Sequence, residues 1–93
     1  MTVRFALLGA GRIGKAHARA VSANPDAALV AVTDAMPEAA EALAAQYGAE
    51  VRTLDAIEAA GDIDAVLICT PTDTHAELIQ RFARAGKGIF CEK

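Results

Sequence analysis

Basic residues are scarce and scattered in this chain. Its 93 residues hold nine Lys and Arg against twelve Asp and Glu, for a net charge of −3. Nucleic-acid binding draws on clustered Lys and Arg that neutralise phosphates, so no nucleic-acid partner is expected. Long apolar runs are missing as well. The longest reach about six to eight residues, far short of the roughly 20 that a bilayer-spanning helix needs. No charged segment followed by a long apolar stretch opens the chain, so no secretory leader is read. A cytoplasmic protein with no membrane partner is the expectation. Tryptophan is absent and aromatics make up 4%, so the core must be filled by small aliphatic side chains. There are two cysteines, Cys69 and Cys91, without the Cys-x-x-Cys spacing of a redox or zinc site. Both end apolar runs and read as buried thiols. If their strands are neighbours they could lie near each other, where a reducing cytosol would keep them from pairing. No metal site is expected.

What is present begins with Val3 to Gly14. Val3 to Leu8 is a continuous apolar run apart from Arg4, the pattern of a strand buried on both faces. Gly9, Gly11 and Gly14 follow as Gly-x-Gly-x-x-Gly, and a helical pattern comes next. Gly9 permits a tight strand-to-helix turn, Gly11 lets backbone approach a pyrophosphate, and Gly14 lets helix pack on strand. The helix N-terminus then offers unpaired N–H groups to an anion.

About a quarter of the chain is alanine, which suits helices packed close to a sheet. Strands and helices alternate along its length. Strands are predicted at Val3–Leu8, Ala28–Thr33, Glu50–Arg52, Ala65–Cys69 and Gly88–Cys91. Helices are predicted at about Arg12–Ser22, from Pro37 to Gly48, at Leu54–Ala60 with Thr53 as cap and Gly61 as stop, and at about Asp73–Ala85. The second helix shows an apolar face of Ala40, Leu43, Ala44 and Tyr47. The fourth shows Leu78, Ile79, Phe82 and Ala83, with Thr74 and Glu77 at capping-box spacing and Gly86 as stop. This alternation specifies an α/β fold, a doubly wound parallel sheet of Rossmann type, with five strands in the order 3-2-1-4-5. One domain, residues 1–93, is expected. A complete dinucleotide domain has a sixth strand, so the chain reads as the front part of a longer protein, and its uncovered strand-five edge as a surface that drives self-association.

The chemistry gathers at the carboxyl ends of these strands. Asp34, 20 residues after Gly14, ends strand two. A carboxylate there accepts bonds from both ribose hydroxyls and repels a 2′-phosphate, while Ala35 and Met36 supply no cation, so NAD is expected over NADP. Thr70, Pro71 and Thr72 follow strand four at the switch point and can aim hydroxyl or backbone groups at a cofactor. His75 falls in the first turn of helix four near the same crevice; taken alone it reads first as a local capping or packing residue. His17 reads as a surface or helix-packing residue. Glu92 and Lys93 end strand five on the same edge; taken alone they are a solvated end.

Three pieces stand together: Gly-Ala-Gly-Arg-Ile-Gly-Lys-Ala-His, Cys-Thr-Pro-Thr-Asp-Thr-His and Cys-Glu-Lys. The set resembles the glucose–fructose oxidoreductase/inositol 2-dehydrogenase/rhizopine-catabolism family of NAD(P)-dependent enzymes, and within it the bacterial inositol 2-dehydrogenases. The likeness covers all 93 residues. It implies a cofactor role for Gly9, Gly11, Arg12, Ile13 and Gly14 at the pyrophosphate and for Asp34 at the adenosine ribose. It places Thr70, Pro71, Thr72 and His75 along the nicotinamide half. Glu92 and Lys93 match the start of the family's Glu-Lys-Pro motif, with Glu92 near the nicotinamide ribose and Lys93 as the catalytic, substrate-orienting residue. The implied reaction oxidises a hydroxyl of a cyclic polyol, foremost myo-inositol, to a ketone with NAD as hydride acceptor, in a homo-oligomer such as a tetramer. The family's Asp/His pair and substrate domain are not in these residues, so this chain alone is expected to be inactive, with at most weak NAD affinity. A dinucleotide-binding sensor or scaffold, a dehydrogenase for another sugar, and a flavodoxin-like module remain as alternatives.

Overall fold

The computed structural model describes residues 2–91. Ten elements follow one another: β1 (Val3–Leu8), α1 (Arg12–Ala23), β2 (Ala27–Thr33), α2 (Pro37–Tyr47), β3 (Glu50–Val51), α3 (Leu54–Ala59), β4 (Ala65–Ile68), a 3₁₀ turn (Thr72–Thr74), α4 (His75–Arg84) and β5 (Gly88–Cys91). The strands form one sheet in the order β3-β2-β1-β4-β5, and every pairing is parallel. This is the order the strand–helix alternation specifies. All strand carboxyl ends therefore meet at one edge, where the connecting loops gather.

Each face of the sheet has its own core. On one, Leu7, Leu29, Val32 and Leu67 pack against Ala18 and Val21 of α1 and Ala40, Leu43 and Ala44 of α2. On the other, Ala6, Leu8, Ala31, Val66 and Ile68 pack against Ile57 of α3 and Leu78 and Phe82 of α4. Phe82, Leu7, Leu8, Ile57 and Ile68 are the largest side chains wholly out of solvent, and burying each contributes roughly 1.5–3 kcal/mol. Alanine on the helices lets them sit close to the sheet, as the composition suggested.

A register shift between Phe5 and Ala6 pairs Phe5 with Leu29 but Ala6 with Ala31. Val30 is skipped, and both Val30 and Ala31 join the α3/α4 core. Strand β1 is less buried than its apolar run implies: Val3 is exposed, and only Ala6, Leu7 and Leu8 are fully enclosed. Gly48 (φ 70°) closes α2 in the left-handed conformation its position predicts, and Thr53 caps α3 by accepting a bond from the Ala56 N–H at 3.1 Å. Helix α3 ends at Ala59, one residue before the expected end and without a left-handed Gly61.

The fourth helix departs most from its sequence pattern. It begins at His75, not Asp73, after the 3₁₀ turn. The Thr74–Glu77 capping box does not form: Thr74 already has helical backbone angles (φ −96°, ψ −10°), and its hydroxyl is turned back onto Pro71 O at 2.6 Å. The buried stripe is His75, Leu78 and Phe82; Ile79 and Ala83, expected inside, are exposed. Leu78 and Phe82 turn onto the core beneath the sheet, while Ile79 and Ala83 lie on the helix's outer side.

Exposed ion pairs tie loops to strands. Arg4 meets Asp64 at 3.1 Å, and Arg52 meets Asp62 at 2.8 Å and Glu50 at 2.9 Å. The Arg52 guanidinium, hydrogen-bonded to the Asp62 carboxylate, holds the latter's pKa down at about 2.

Candidate functional site

The turn after β1 is built on contacts that tolerate no side chain. Gly9 has φ +105°, and a Cβ there would stand 2.7 Å from the carbonyl oxygen of Cys69. The ends of β1 and β4 approach each other this closely at the switch point. A Cβ on Gly14 would stand 2.0 Å from the carbonyl oxygen of Gly9, so α1 rests directly on the loop. Gly11 differs: nothing lies within 4 Å of where its Cβ would be. The three glycines thus divide between two that close the fold and one that faces open space.

Helix α1 starts at Arg12 with Gly11 as N-cap, no side-chain cap and no acidic residue in its first turn. The other three α-helices each carry an acid there: Glu38, Asp55 and Glu77. Unsatisfied N–H groups and the positive end of the helix dipole are therefore left uncompensated at this one helix start. Arg12 and Ile13 lie exposed on it, Ile13 at 45%.

Asp34 stands beside this loop. One carboxylate oxygen accepts from the Ala10 N–H at 2.6 Å and the other from the Met36 N–H at 2.8 Å. Each oxygen keeps a further lone pair for another donor. The acid predicted from spacing alone thus also fixes the glycine loop.

Thr70, Pro71 and Thr72 lead from β4 into the 3₁₀ turn. The Thr70 hydroxyl lies 2.6 Å from the Thr74 hydroxyl; since Thr74 spends its proton on Pro71 O, Thr70 is the donor of this bond. Thr72 and Pro71 are exposed. His75 is buried with both ring nitrogens engaged. Nε2 lies 2.8 Å from the Thr70 carbonyl, and Nδ1 lies 3.1 Å from Cys91 Sγ. His75 therefore braces the turn from behind. His17 is half-buried on α1. Glu92 and Lys93 lie outside the described residues.

The expectation of two buried thiols is corrected. Cys69 is half-buried and Cys91 is exposed. Their strands are neighbours, but Cys69 packs with the α1/α2 core while Cys91 reaches His75 of α4, so they take opposite faces of the sheet.

A cleft of about 720 Å³ opens between Asp34 and Ala35 on one side and Thr70, Pro71 and Thr74 on the other, floored by Leu54, Leu78 and Arg81. Arg81 is the residue that sequence reasoning missed. It bridges Glu58 and Asp55 of α3. Its hydrogen bond to Glu58, then that to Asp55, raises its pKa above the ordinary guanidinium value. Both carboxylates occupy this cation, so the cleft holds no uncommitted positive charge from it. Among the described residues no helix is long and apolar enough to cross a membrane.

The comparisons with known proteins agree with this fold. Residues 3–93 match the model of an oxidoreductase family with an NAD-binding Rossmann fold. The chain is 80% identical to an inositol 2-dehydrogenase of Rhizobium meliloti over 93 residues, all of this chain and 28% of that protein. It is 46% identical to the scyllo-inositol 2-dehydrogenase (NAD(+)) of Bacillus subtilis, over 98% of this chain and 28% of that one. The crystal structure of a myo-inositol dehydrogenase from Corynebacterium glutamicum superposes with a TM-score of 0.94 at 46% identity, covering 100% of this chain and 28% of that one. The chain thus spans little more than a quarter of the length of these relatives.

Proposed function

The chain belongs to this oxidoreductase family with its NAD-binding Rossmann fold, and on that premise we propose that it is the dinucleotide-binding part of an NAD-dependent dehydrogenase that oxidises a ring hydroxyl of a cyclic polyol, foremost myo-inositol, to a ketone. The observation that carries the cofactor reading is the Asp34 carboxylate 2.6 Å from the Ala10 N–H, which brings an acid to the mouth of the glycine loop. The residues fit the group. The Arg12, Ile13 and Gly14 N–H groups at the uncapped start of α1 suit a pyrophosphate, and the open space at Gly11 admits it. Asp34 has lone pairs left for ribose hydroxyls, in bonds worth roughly 1.5–3 kcal/mol each.

Its charge opposes a 2′-phosphate, Ala35 and Met36 bring no cation, and Arg81 is already paired. NAD is therefore favoured over NADP. Thr70 and Pro71 line the opposite wall, and Thr72 and His75 are assigned with them to the nicotinamide half, as the resemblance implies. Glu92 is assigned to the nicotinamide ribose and Lys93 to orienting the substrate hydroxyl, as the resemblance to inositol dehydrogenases implies. When bound, the nicotinamide supplies the hydride acceptor; the chain supplies placement and charge. The names of the relatives support the polyol. The same reading carries a homo-oligomer, foremost a tetramer, and a cytoplasmic setting.

The test is a fluorescence titration of the chain with NADH and with NADPH, repeated for Asp34→Ala. Saturable binding that favours NADH, and loses at least about tenfold in affinity (about 1.4 kcal/mol) in the variant, is the expected result. A wild-type chain that answers neither dinucleotide would remove the proposal. Turnover of myo-inositol with NAD by the full-length enzyme tests the substrate.

A further inference from the structure

Charge is unevenly distributed along the chain. Four of its nine Lys and Arg and none of its twelve Asp and Glu precede Asp26, so residues 1–25 carry +4 and the remainder −7. Arg4 is paired with Asp64. The other three cations, Arg12, Lys15 and Arg19, all lie on α1, which holds no acid. Helix α2 has Glu38 and Glu41 with no Lys or Arg, and α3 has Asp55 and Glu58 with none. Helix α4 sets Glu77 against Arg81 and Arg84. Among the described residues α1 alone of the α-helices carries cations without an anion.

These cations share one side of the helix. At about 100° per residue, positions 12, 15 and 19 fall within about 60° of one another. Gly14, Ala18 and Val21 take the buried side, and all three cations are exposed. Among the described residues none of them forms an ion pair. At a rise of about 1.5 Å per residue they make a ridge roughly 10 Å long that ends at the glycine loop. Arg12 and Lys15 stand in the first turn, beside the positive end of the helix dipole, where like charge is disfavoured. That placement gives the folded chain neither an ion pair nor a favourable dipole contact. An anion approaching the loop gains from both.

We propose that Arg12, Lys15 and Arg19 form an electrostatic track that draws the dinucleotide's diphosphate to the start of α1, an inference that rests on the dinucleotide reading above. The chain as a whole is negative, and Asp34 sets an acid at the loop itself. A diphosphate arriving from most directions is therefore repelled. Over α1 the three cations and the dipole add with one sign, which raises the local concentration of an anion and its rate of encounter. Lys15 and Arg19 lie one and two turns beyond the helix start, so their charge acts chiefly on the approach. Such charges set the association rate and its salt dependence more than the dissociation rate.

The probe is NADH, its fluorescence followed by equilibrium titration and by temperature-jump relaxation. The salt is 0.01 M or 1 M, where the Debye length is about 30 Å or about 3 Å. Arg12 is left in place because its N–H belongs to the pyrophosphate site. Lys15→Gln with Arg19→Gln is expected to lower the association rate at least about threefold in 0.01 M salt and less than about 1.5-fold in 1 M. The dissociation rate should hold, and so should the helical circular dichroism, since both positions are exposed. Charge reversal, Lys15→Glu with Arg19→Glu, should deepen the low-salt loss to about tenfold. Arg84→Glu changes the net charge as much as the double Gln variant does, but at the last residue of α4 on the other face of the sheet. It should cost less than about twofold. An association rate unchanged in low salt, a loss that persists in 1 M salt or sits in the dissociation rate, or an equal loss in Arg84→Glu would overturn the proposal. A parent chain that binds no NADH removes the dinucleotide reading itself, so the two failures are told apart.

Discussion

Replacing Gly14 and Gly11 by alanine, one at a time, should give opposite results, and the structure sets the sizes. At Gly14 the new Cβ would stand 2.0 Å from Gly9 O and 3.0 Å from Gly9 C. These are backbone atoms, so no rotamer change relieves the contact. Carbon in ordinary contact sits at about 3.5 Å, and α1 must withdraw by about 1 Å or more. That withdrawal opens the packing of Ala18 and Val21 on Leu7 and Val32. Overpacking of this kind costs about 1–3 kcal/mol, and the upper end applies because the obstacle is rigid. Alanine's better helix propensity offsets about 1 kcal/mol. The net loss is about 2 kcal/mol, or about 1–2 M in urea midpoint for a slope of about 1–2 kcal/mol per molar. At Gly11 the Cβ meets nothing within 4 Å, and the backbone (φ −79°, ψ −161°) is one that alanine adopts freely. A weaker N-cap and a stiffer unfolded chain act in opposite directions, and stability should stay within about 1 kcal/mol. Its NADH affinity should nonetheless fall at least about tenfold. Urea unfolding by circular dichroism and NADH titration read the two quantities separately. A Gly14→Ala chain as stable as the parent, or a Gly11→Ala chain less stable than Gly14→Ala, would refute the division of labour among the glycines.

Asp34→Ala leaves the part-buried Ala10 N–H without its acceptor and should cost about 1–3 kcal/mol of stability along with the NADH affinity; calorimetric unfolding measures the first. Thr53→Ala removes the cap on the Ala56 N–H and should cost about 1 kcal/mol, read as a fall in urea midpoint. Asp62 titrates in the folded chain at about 2, below its ordinary value of 3.8. Its contribution to stability is therefore complete above that ordinary value and is lost as the pH falls toward 2. Carboxyl chemical shifts should show the low midpoint, and Arg52→Gln should return it to the usual range.

The strand order was legible because five apolar runs alternate with helical patterns, and right-handed crossovers leave few ways to wind them. The glycine loop and Asp34 were legible through their spacing. What escaped reading was whatever depends on competition between close alternatives. Thr74 and Glu77 have the spacing of a capping box, but the 3₁₀ turn gives Thr74 helical backbone angles and turns its hydroxyl back onto Pro71 O. Ile79 and Ala83 sit at helical spacing from Leu78 and Phe82, yet α4 turns only His75, Leu78 and Phe82 inward. Val30 is passed over by a register shift that no periodicity announces. Arg81 and the Cys91–His75 pair are contacts between elements far apart in the chain, and one-dimensional patterns carry no sign of them.

The two bonds that Asp34 makes to backbone have a consequence for anyone hoping to retool this pocket for the phosphorylated dinucleotide. The usual recipe trades the acid for a small or cationic residue. Here that exchange would also strip the amide of residue 10 of the acceptor Asp34 gives it, and slacken the strand-to-helix turn that follows β1. A successful redesign has to bring a second oxygen to that amide, from a neighbouring position, before it changes the charge.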